Sequence, residues 1–345
     1  MTTNLRPQSV ALIALAAGVA ATLLAWYVTG RSLRLESSAE FANRSQLAAS
    51  VLERRIQRYV DLLYNLDAFA NHEEHFTRRE FHDFVAGLDL GSRLPGVQAV
   101  EFIRRVEGRR LQPFAAMVRG DRSILPQGYP TFAVKPPGER DEYWVIDYLE
   151  PIEGNENAFG LDIRSRPGAL QAAERSRDSG LPTMTGRYRL AQEKGASYGL
   201  VMYLPVYGAQ QPRTIEERRE LLVGFVNVVL RVDDVLAPMM TDPVSAGLHI
   251  RVHDRGEAGL PPQPASDTTA FYGSQAPGEE PSLLEWRPRQ HQDVAVAGRQ
   301  WQLEFTGDAA WSPLLAPAAL MVLCSGLLVS FMLYGILSAI ARTRS

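Results

Sequence analysis

Groups able to hold a small molecule concentrate between Tyr143 and Tyr207. An apolar run from Tyr143 to Tyr148 leads to Pro151, and a short polar loop then carries Asn155 and Asn157. Ala158-Phe159-Gly160-Leu161-Asp162 follows, then a brief helix, Gly180, Thr185, Gln192-Glu193 and a last strand ending in Leu204-Pro205-Val206-Tyr207. Ligand pockets are built this way, from apolar walls and a few placed polar contacts. Asp162 follows an apolar run, so its carboxylate is at least partly enclosed and needs hydrogen bonds. It either contacts a ligand or caps the helix expected near Pro167. Arg164 and Arg166 face solvent or neutralise an anionic ligand. Most of the aromatics here (Tyr143, Trp144, Tyr148, Phe159, Tyr188, Tyr198, Tyr203 and Tyr207) belong to a core, and two or three line the cavity, with Phe159 and Tyr148 taken as candidates.

Other chemistries find little support. The sequence has no Gly-x-x-x-x-Gly-Lys loop for phosphates and no His-Glu-x-x-His pair for zinc. His72 and His75 flank two glutamates but supply too few ligands for a metal. The expectation is a binding module, not an enzyme, without metal or cofactor.

The elements that must position these groups are bounded by composition. The chain has 345 residues, which favours two or three folding units. Its hydrophobic content of 46% and charged content of 22% are those of a folded protein, which argues against disorder. A net charge of −3 gives no reason to expect nucleic acid as a partner. Cys324 is the only cysteine, so no disulfide forms within the chain.

Val10 to Val28 is 19 residues without a charge, enough to cross a hydrocarbon layer of ~30 Å at 1.5 Å per residue. Its apolar run is longer than a signal peptide's, and no small-x-small cleavage site stands between the end of that run and Arg31. A second span covers Pro313 to Ile340, entered at Trp311 and followed by Arg342 and Arg344. The positive-inside rule puts those arginines, and Arg6, in the cytoplasm. The topology expected is therefore inside, out, inside, with the lipid bilayer as one partner.

Between the spans, Leu52, Ile56, Tyr59, Leu63, Leu66 and Ala70 recur at steps of three and four, one face of a long helix. That face packs on its own domain or also forms the seam of a homodimer through stalk and transmembrane helices. Thr77-Arg78-Arg79-Glu80 has the spacing of a capping box opening a second helix. Val97 to Val106 reads as a strand, Arg109 to Val118 as a helix, Gln210 to Glu220 as a hairpin loop, and Leu221 to Arg231 as a long strand. Strands are also expected at His249 to Asp254, Thr269 to Tyr272, His291 to Ala297 and Gln300 to Phe305, the last two joined around Gly298-Arg299.

These segments resemble the CHASE family, the extracellular sensory domain of histidine kinases, diguanylate and other cyclases, and plant cytokinin receptors. The resemblance runs from about Phe76 to Leu236. It is carried by Arg93-x-Pro95-Gly96-Val97 with Glu101-Phe102, by Pro151, Asn155 and Asn157 to Asp162, and by Gly180, Thr185, Arg189-Leu190 and Gln192-Glu193. Gly199 and Tyr203-x-Pro205-Val206-Tyr207 complete it. It implies an α+β fold with a long N-terminal stalk helix and two PAS-like antiparallel α/β subdomains, the membrane-distal one binding a small molecule. Carried over residue by residue, Asp162, Leu190 and Thr185 match ligand contacts of the cytokinin-binding members. Tyr203 stands where those members have a threonine, and its ring narrows the cavity against adenine-type ligands.

The organisation expected is a cytoplasmic N-terminus (1–9), a first span (10–30), a stalk (31–75), a distal sensor domain (76–240), a proximal subdomain (241–310), a second span (311–340) and a cytoplasmic tail (341–345). The function expected is that of an extracytoplasmic receptor for an unidentified small molecule, acting on a cytoplasmic signalling partner. The usual kinase or cyclase output is not in the sequence. A membrane-anchored protein-interaction domain is the alternative, and a periplasmic enzyme the remote one.

Overall fold

The computed structural model describes residues 7–72, 76–189, 198–208, 210–273 and 284–343. Helix α1 (Pro7–His72) is unbroken over 66 residues, roughly 100 Å at 1.5 Å per residue. The segments expected as first span and stalk are thus one rod. Helix α2 (Arg78–Gly87) starts at the expected capping box: the Thr77 hydroxyl accepts from Glu80 N, and the Glu80 carboxylate accepts from Thr77 N at 2.7 Å. A single turn, α3 (Leu90–Arg93), leads to β1 (Val97–Glu107), and α4 (Leu111–Gly120) follows. Next come β2 (Glu142–Glu150), α5 (Pro167–Ser179), β3 (Thr183–Met184), β4 (Tyr188–Arg189) and β5 (Tyr198–Val206). The segment expected as a hairpin loop instead contains a short helix, α6 (Ile215–Leu221). Thr214 and Glu217 form a second reciprocal capping box, which outweighs the polar composition. Strand β6 (Gly224–Arg231) completes an antiparallel sheet of order β2-β1-β6-β5-β3, with β4 also on β5.

The chain continues through α7 (Val232–Met240), β7 (Leu248–Glu257), β8 (Ala270–Gly273), a two-residue β9 (Glu285–Trp286), β10 (Arg289–Val296), β11 (Arg299–Gly307) and a short β12 (Ala310–Trp311). These build a second antiparallel sheet, β10-β11-β7-β8, and a small β12–β9 pair. The β10–β11 turn lies one residue earlier than expected, at Ala297-Gly298, both of which have positive φ. Helix α8 (Pro317–Thr343) ends the description.

The stripe of α1 read as a possible dimer seam is covered by its own chain. Leu52, Ile56, Tyr59, Leu63 and Leu66 are buried in one core with Phe102, Met202 and Val228 of the first sheet and with Ile250, Leu303 and Phe305 of the second. A second copy would have to meet α1 on another face. The opposite face of the first sheet forms a separate core with α5 and the 158–163 segment.

A buried ionic cluster locks α2 to the first sheet. Arg78 lies 3.0 Å from Asp147 and 3.0 Å from Asp121, while Arg104 is 2.6 Å from the other Asp147 oxygen. The Arg78 guanidinium also lies over the rings of Tyr129, Tyr148 and Phe159 at 4.8, 4.7 and 5.1 Å. Removing one partner leaves an uncompensated buried charge, at a typical cost of about 3–5 kcal/mol. Arg78→Met is expected to destabilise the chain by that order, read as a fall in the denaturant midpoint. An unchanged midpoint would show that the cluster is not structural.

Helices α1 and α8 are each long and apolar enough to cross a membrane. They lie side by side along a seam of small residues. A Cβ on Gly18 would meet Ser330 Oγ at 2.6 Å, and one on Gly326 would meet Thr22 Cγ2 at 2.5 Å. Small residues four apart on both helices permit this approach. Gly326→Leu is expected to lower the melting temperature of the detergent-solubilised chain. Gly335→Leu, with nothing within 4 Å of the added Cβ, leaves it unchanged.

Candidate functional site

A cavity of about 380 Å³ lies on the face of the first sheet turned away from α1. Its floor is Ile146 of β2, Glu101 of β1, Val229 of β6, and Val201 and Tyr203 of β5. Its roof is Ala158, Leu161, Ile163 and the start of α5, with Tyr188 and Arg166 also lining it. A larger groove of about 1150 Å³ lies between α4 and residues 133–141, lined by Arg109, Glu139 and Arg140 among others. It is more open, and the rest of the site chemistry lies elsewhere.

The polar side chains of the floor are Glu101 and Tyr203, and Asn227 is buried between them without lining the cavity itself. Glu101 is directly opposite Asn227 across β1 and β6, and Asn227 is opposite Tyr203 across β6 and β5. Directly opposed residues share a face, so three polar side chains cross the sheet in a line. Asn227 Nδ2 donates to Glu101 Oε2 at 2.6 Å, while Asn227 Oδ1 is buried without a hydrogen bond. Burial pushes the Glu101 carboxyl up to about 7, opposed by the Asn227 hydrogen bond. Burial also raises Tyr203 well above the usual phenol value, and Tyr188 and Glu101 nearby add to this. Tyr188 is raised by burial and by Glu101, with Arg166 opposing.

The roof is held by backbone geometry. Gly160 has φ +81°, and a Cβ there would sit 2.4 Å from Ala133 O, so the position admits only glycine without rearrangement. Its N–H donates to Ile146 O at 3.0 Å, and its carbonyl accepts from Lys135 N at 2.9 Å.

The residues named from the sequence scatter around this cavity. Tyr203 lines it. Asp162 is fully buried beneath the roof, not against the cavity. Its Oδ1 accepts from Trp144 N at 2.9 Å and Arg164 N at 3.2 Å, and Oδ2 lies 3.4 Å from Arg140. It caps the short turn at Ile163–Ser165 and pins the roof to β2, the structural alternative weighed above, one turn earlier than expected. Thr185 Oγ1 accepts from Val201 N at 3.1 Å and so ties the rim to β5. Phe159 faces Tyr129 and Phe132, with ring centroids at 5.3 and 4.8 Å. Tyr148 lies on the opposite face of the sheet, its hydroxyl donating to Phe76 O at 3.1 Å. Strict alternation from Trp144 and Ile146 would have aimed Tyr148 into the cavity. A bulge intervenes: Phe102 pairs with Tyr148 and Ile103 with Ile146, which leaves Asp147 as the extra residue and reverses the parity beyond it. Leu190 and Gln192-Glu193 lie outside the described residues.

Glu101 and Asn227 were not singled out as site residues. A signal was present: Asn227 is a lone polar residue inside the apolar strand β6, and Glu101 interrupts the apolar run from Ala99 to Ile103 of β1. Gly195-Ala-Ser-Tyr-Gly199 has the spacing of a nucleophile elbow, but that device needs a helix after the serine. Here Tyr198 and Gly199 open strand β5.

The sequence profile of the CHASE domain matches residues 74–268. The chain belongs to the CHASE domain family. CHASE domains are sensor domains of signalling proteins, and the matched span contains the entire cavity. No curated protein sequence matches the chain. Among solved structures, it is similar to the ligand-binding domain of the Pseudomonas aeruginosa amino acid chemoreceptor PctC in complex with GABA, at 14% identity and a TM-score of 0.43, covering 79% of this chain and 100% of that one. It is similar also to the periplasmic sensory domain of the Campylobacter jejuni chemoreceptor Tlp1 (9% identity, TM-score 0.44, 82% and 98% covered) and to the Vibrio cholerae LuxQ periplasmic domain (11%, 0.38, 79% and 98%).

The raised carboxyl of Glu101 fixes a pH dependence for this CHASE chain. The folded state holds the Glu101 proton more tightly than the unfolded state, so its stability contribution is lost as pH rises from 4.5 and is fully lost above about 7. Glu101→Gln removes that loss. The variant is expected to match the unliganded parent near pH 4.5 and to exceed it at pH 8 by on the order of 3 kcal/mol at most. Melting temperatures of both across pH 4.5–8 check this, and parallel curves would show that Glu101 is solvated.

Proposed function

We propose that the chain is the sensory module of a two-span membrane receptor, in which a small molecule fills the cavity above Glu101, Asn227 and Tyr203. The observation that carries this reading is that a buried carboxyl and a phenol, Glu101 and Tyr203, are set in an otherwise apolar floor with Asn227 between them in the sheet, the pattern of a ligand site. Residues 10–30 and 311–340 cross the lipid bilayer, 31–310 stand outside the cytoplasm, and both ends of the chain lie inside. Within the exposed part, 76–240 forms the membrane-distal unit that takes the ligand and 241–310 the proximal one. The output is a cytoplasmic signalling partner of the histidine kinase or diguanylate cyclase type.

The rim of the cavity offers a route to the membrane. Arg187, next to Tyr188, donates to the carbonyls of Ala270 and Thr268, and Met184 N donates to Ala297 O at 2.8 Å. Arg175 of α5 lies 3.0 Å from Glu257 of β7. Ala270 and Glu257 lie in strands of the second sheet and Ala297 in its β10–β11 turn, and β11 leads through β12 into α8. A ligand that favours one placement of the rim biases the second sheet and, through it, α8.

Screening a metabolite collection by thermal shift on the detergent-solubilised full chain tests this. A true ligand at a hundred times its Kd stabilises by about 2.7 kcal/mol. Ala169→Trp, which fills the cavity beside the roof, is expected to abolish that shift. No stabilising compound, or one indifferent to the tryptophan, would remove the receptor reading. A C-terminal tag reachable from outside the cytoplasm would overturn the topology alone.

A further inference from the structure

Resting on the reading of the cavity as the ligand site, we propose that its ligand is a small organic monocation whose protonated amine is held by Glu101. The argument begins with hydrogen-bond supply. A carboxylate offers about four acceptor positions, and Asn227 Nδ2 occupies one of those on Glu101. Among the described residues no other group donates to Glu101. Asn227 Oδ1, one strand over, is an acceptor with no donor at all, though it is fully buried. The hydroxyls of Tyr203 and Tyr188 make no hydrogen bond among the described residues and can accept as well as donate. The lining around Glu101 is thus rich in acceptors and short of donors, and the buried amide behind it leaves a further acceptor unmatched. An alkylammonium group carries three donors and no acceptor, the complement of that arrangement.

Charge points the same way. Glu101 is the one carboxylate among the described lining residues, and it makes no ion pair. A buried anion without a counter-ion costs several kcal/mol, so the empty site meets the cost by holding a proton. An arriving ammonium replaces that proton: the carboxylic O–H releases H⁺ to solvent and the charge pair forms in its place. A neutral ligand leaves the proton where it is, and an anionic one adds a second negative group. Rings of Tyr188 and Tyr203 are also favourable neighbours for a cation. The rest of the ligand meets Ile146, Val201 and Val229, so it is hydrocarbon.

Arg166 restricts the choice further. Its side chain is exposed, beside Tyr188, and has no hydrogen bond or ion pair among the described residues. It is the one cation among the described lining residues, and it disfavours a second positive charge on the ligand. Monoamines are selected over diamines.

Calorimetry on the detergent-solubilised full chain tests this with butylamine and phenethylamine, their isosteric alcohols and carboxylates, and 1,4-diaminobutane. At pH 8 the monoamines are expected to bind at least tenfold more tightly than the alcohols and the diamine. Glu101→Gln is expected to lose tenfold or more of amine affinity. In the parent chain, amine affinity should fall about tenfold per unit as pH drops below about 7, because the Glu101 proton competes. The titratable groups facing Glu101 are Tyr203 and Tyr188, both raised by burial and neutral in this range, and Arg166 keeps its charge. Alcohols or carboxylates binding as well as amines, or amine affinity independent of pH and of Glu101→Gln, would overturn the amine assignment and leave the receptor standing. Silence of every probe together with a flat metabolite screen would overturn both.

Discussion

Leu52, Leu63 and Leu66 of α1 have no exposed surface because two separate sheets close over them. Burial of a leucine side chain is worth about 1.5–3 kcal/mol, and the stripe from Leu52 to Ala70 repeats it several times. Neither sheet can leave the helix without exposing that stripe. The helix is therefore a shared wall, and the two sheets form one mechanical body around it. The same helix continues without a break into the apolar segment that begins at Pro7. A change in how either sheet sits is transmitted to that segment by packing alone.

The two faces of the first sheet divide the labour. The face against α1 is apolar and closed, with the Arg78, Asp147 and Arg104 cluster at its edge. The opposite face is only partly filled: Glu101 and Tyr203 border the unfilled part, with Asn227 buried in the row between them. A solid core would have placed aliphatic side chains in that row. Holding a carboxyl, an amide and a phenol there lowers stability, and sites where local rules of core composition fail are commonly functional ones. The Gly160 approach and the Asp162 hydrogen bonds then serve to keep the roof from collapsing onto the row.

Much of the fold was legible from patterns with a fixed physical period. The apolar steps of three and four along α1, the Thr77 capping box, and the strands around the second sheet all follow from repeat geometry. Fold-level resemblance to CHASE domains was legible from the motifs between Arg93 and Tyr207. What escaped depends on a single inserted residue or on pairing across the sheet. Tyr148 was misplaced because Asp147 is a bulge, and nothing in the local sequence marks it. The α6 helix escaped because its capping box, Thr214 and Glu217, sits in a polar stretch without an apolar face. The row under the roof escaped because Glu101 and Asn227 are 126 positions apart and meet only once β1 and β6 are paired. Asp162 drew attention by its enclosure, which was real, but its partners proved to be main-chain N–H groups and Arg140.

The seam between α1 and α8 has a property beyond closeness. Thr22 turns its hydroxyl back to Gly18 O, and Ser330 turns its own back to Gly326 O, each at 2.8 Å within its own helix. Bare glycine backbone on each side meets a side chain whose hydroxyl is already satisfied, and at the outer end Gly30 meets the Leu314 side chain. There Trp26 Nε1 donates to Leu314 O at 2.9 Å. That contact stands at the end of the seam nearest the sheets, so it ties the two apolar helices together where the sheets join them.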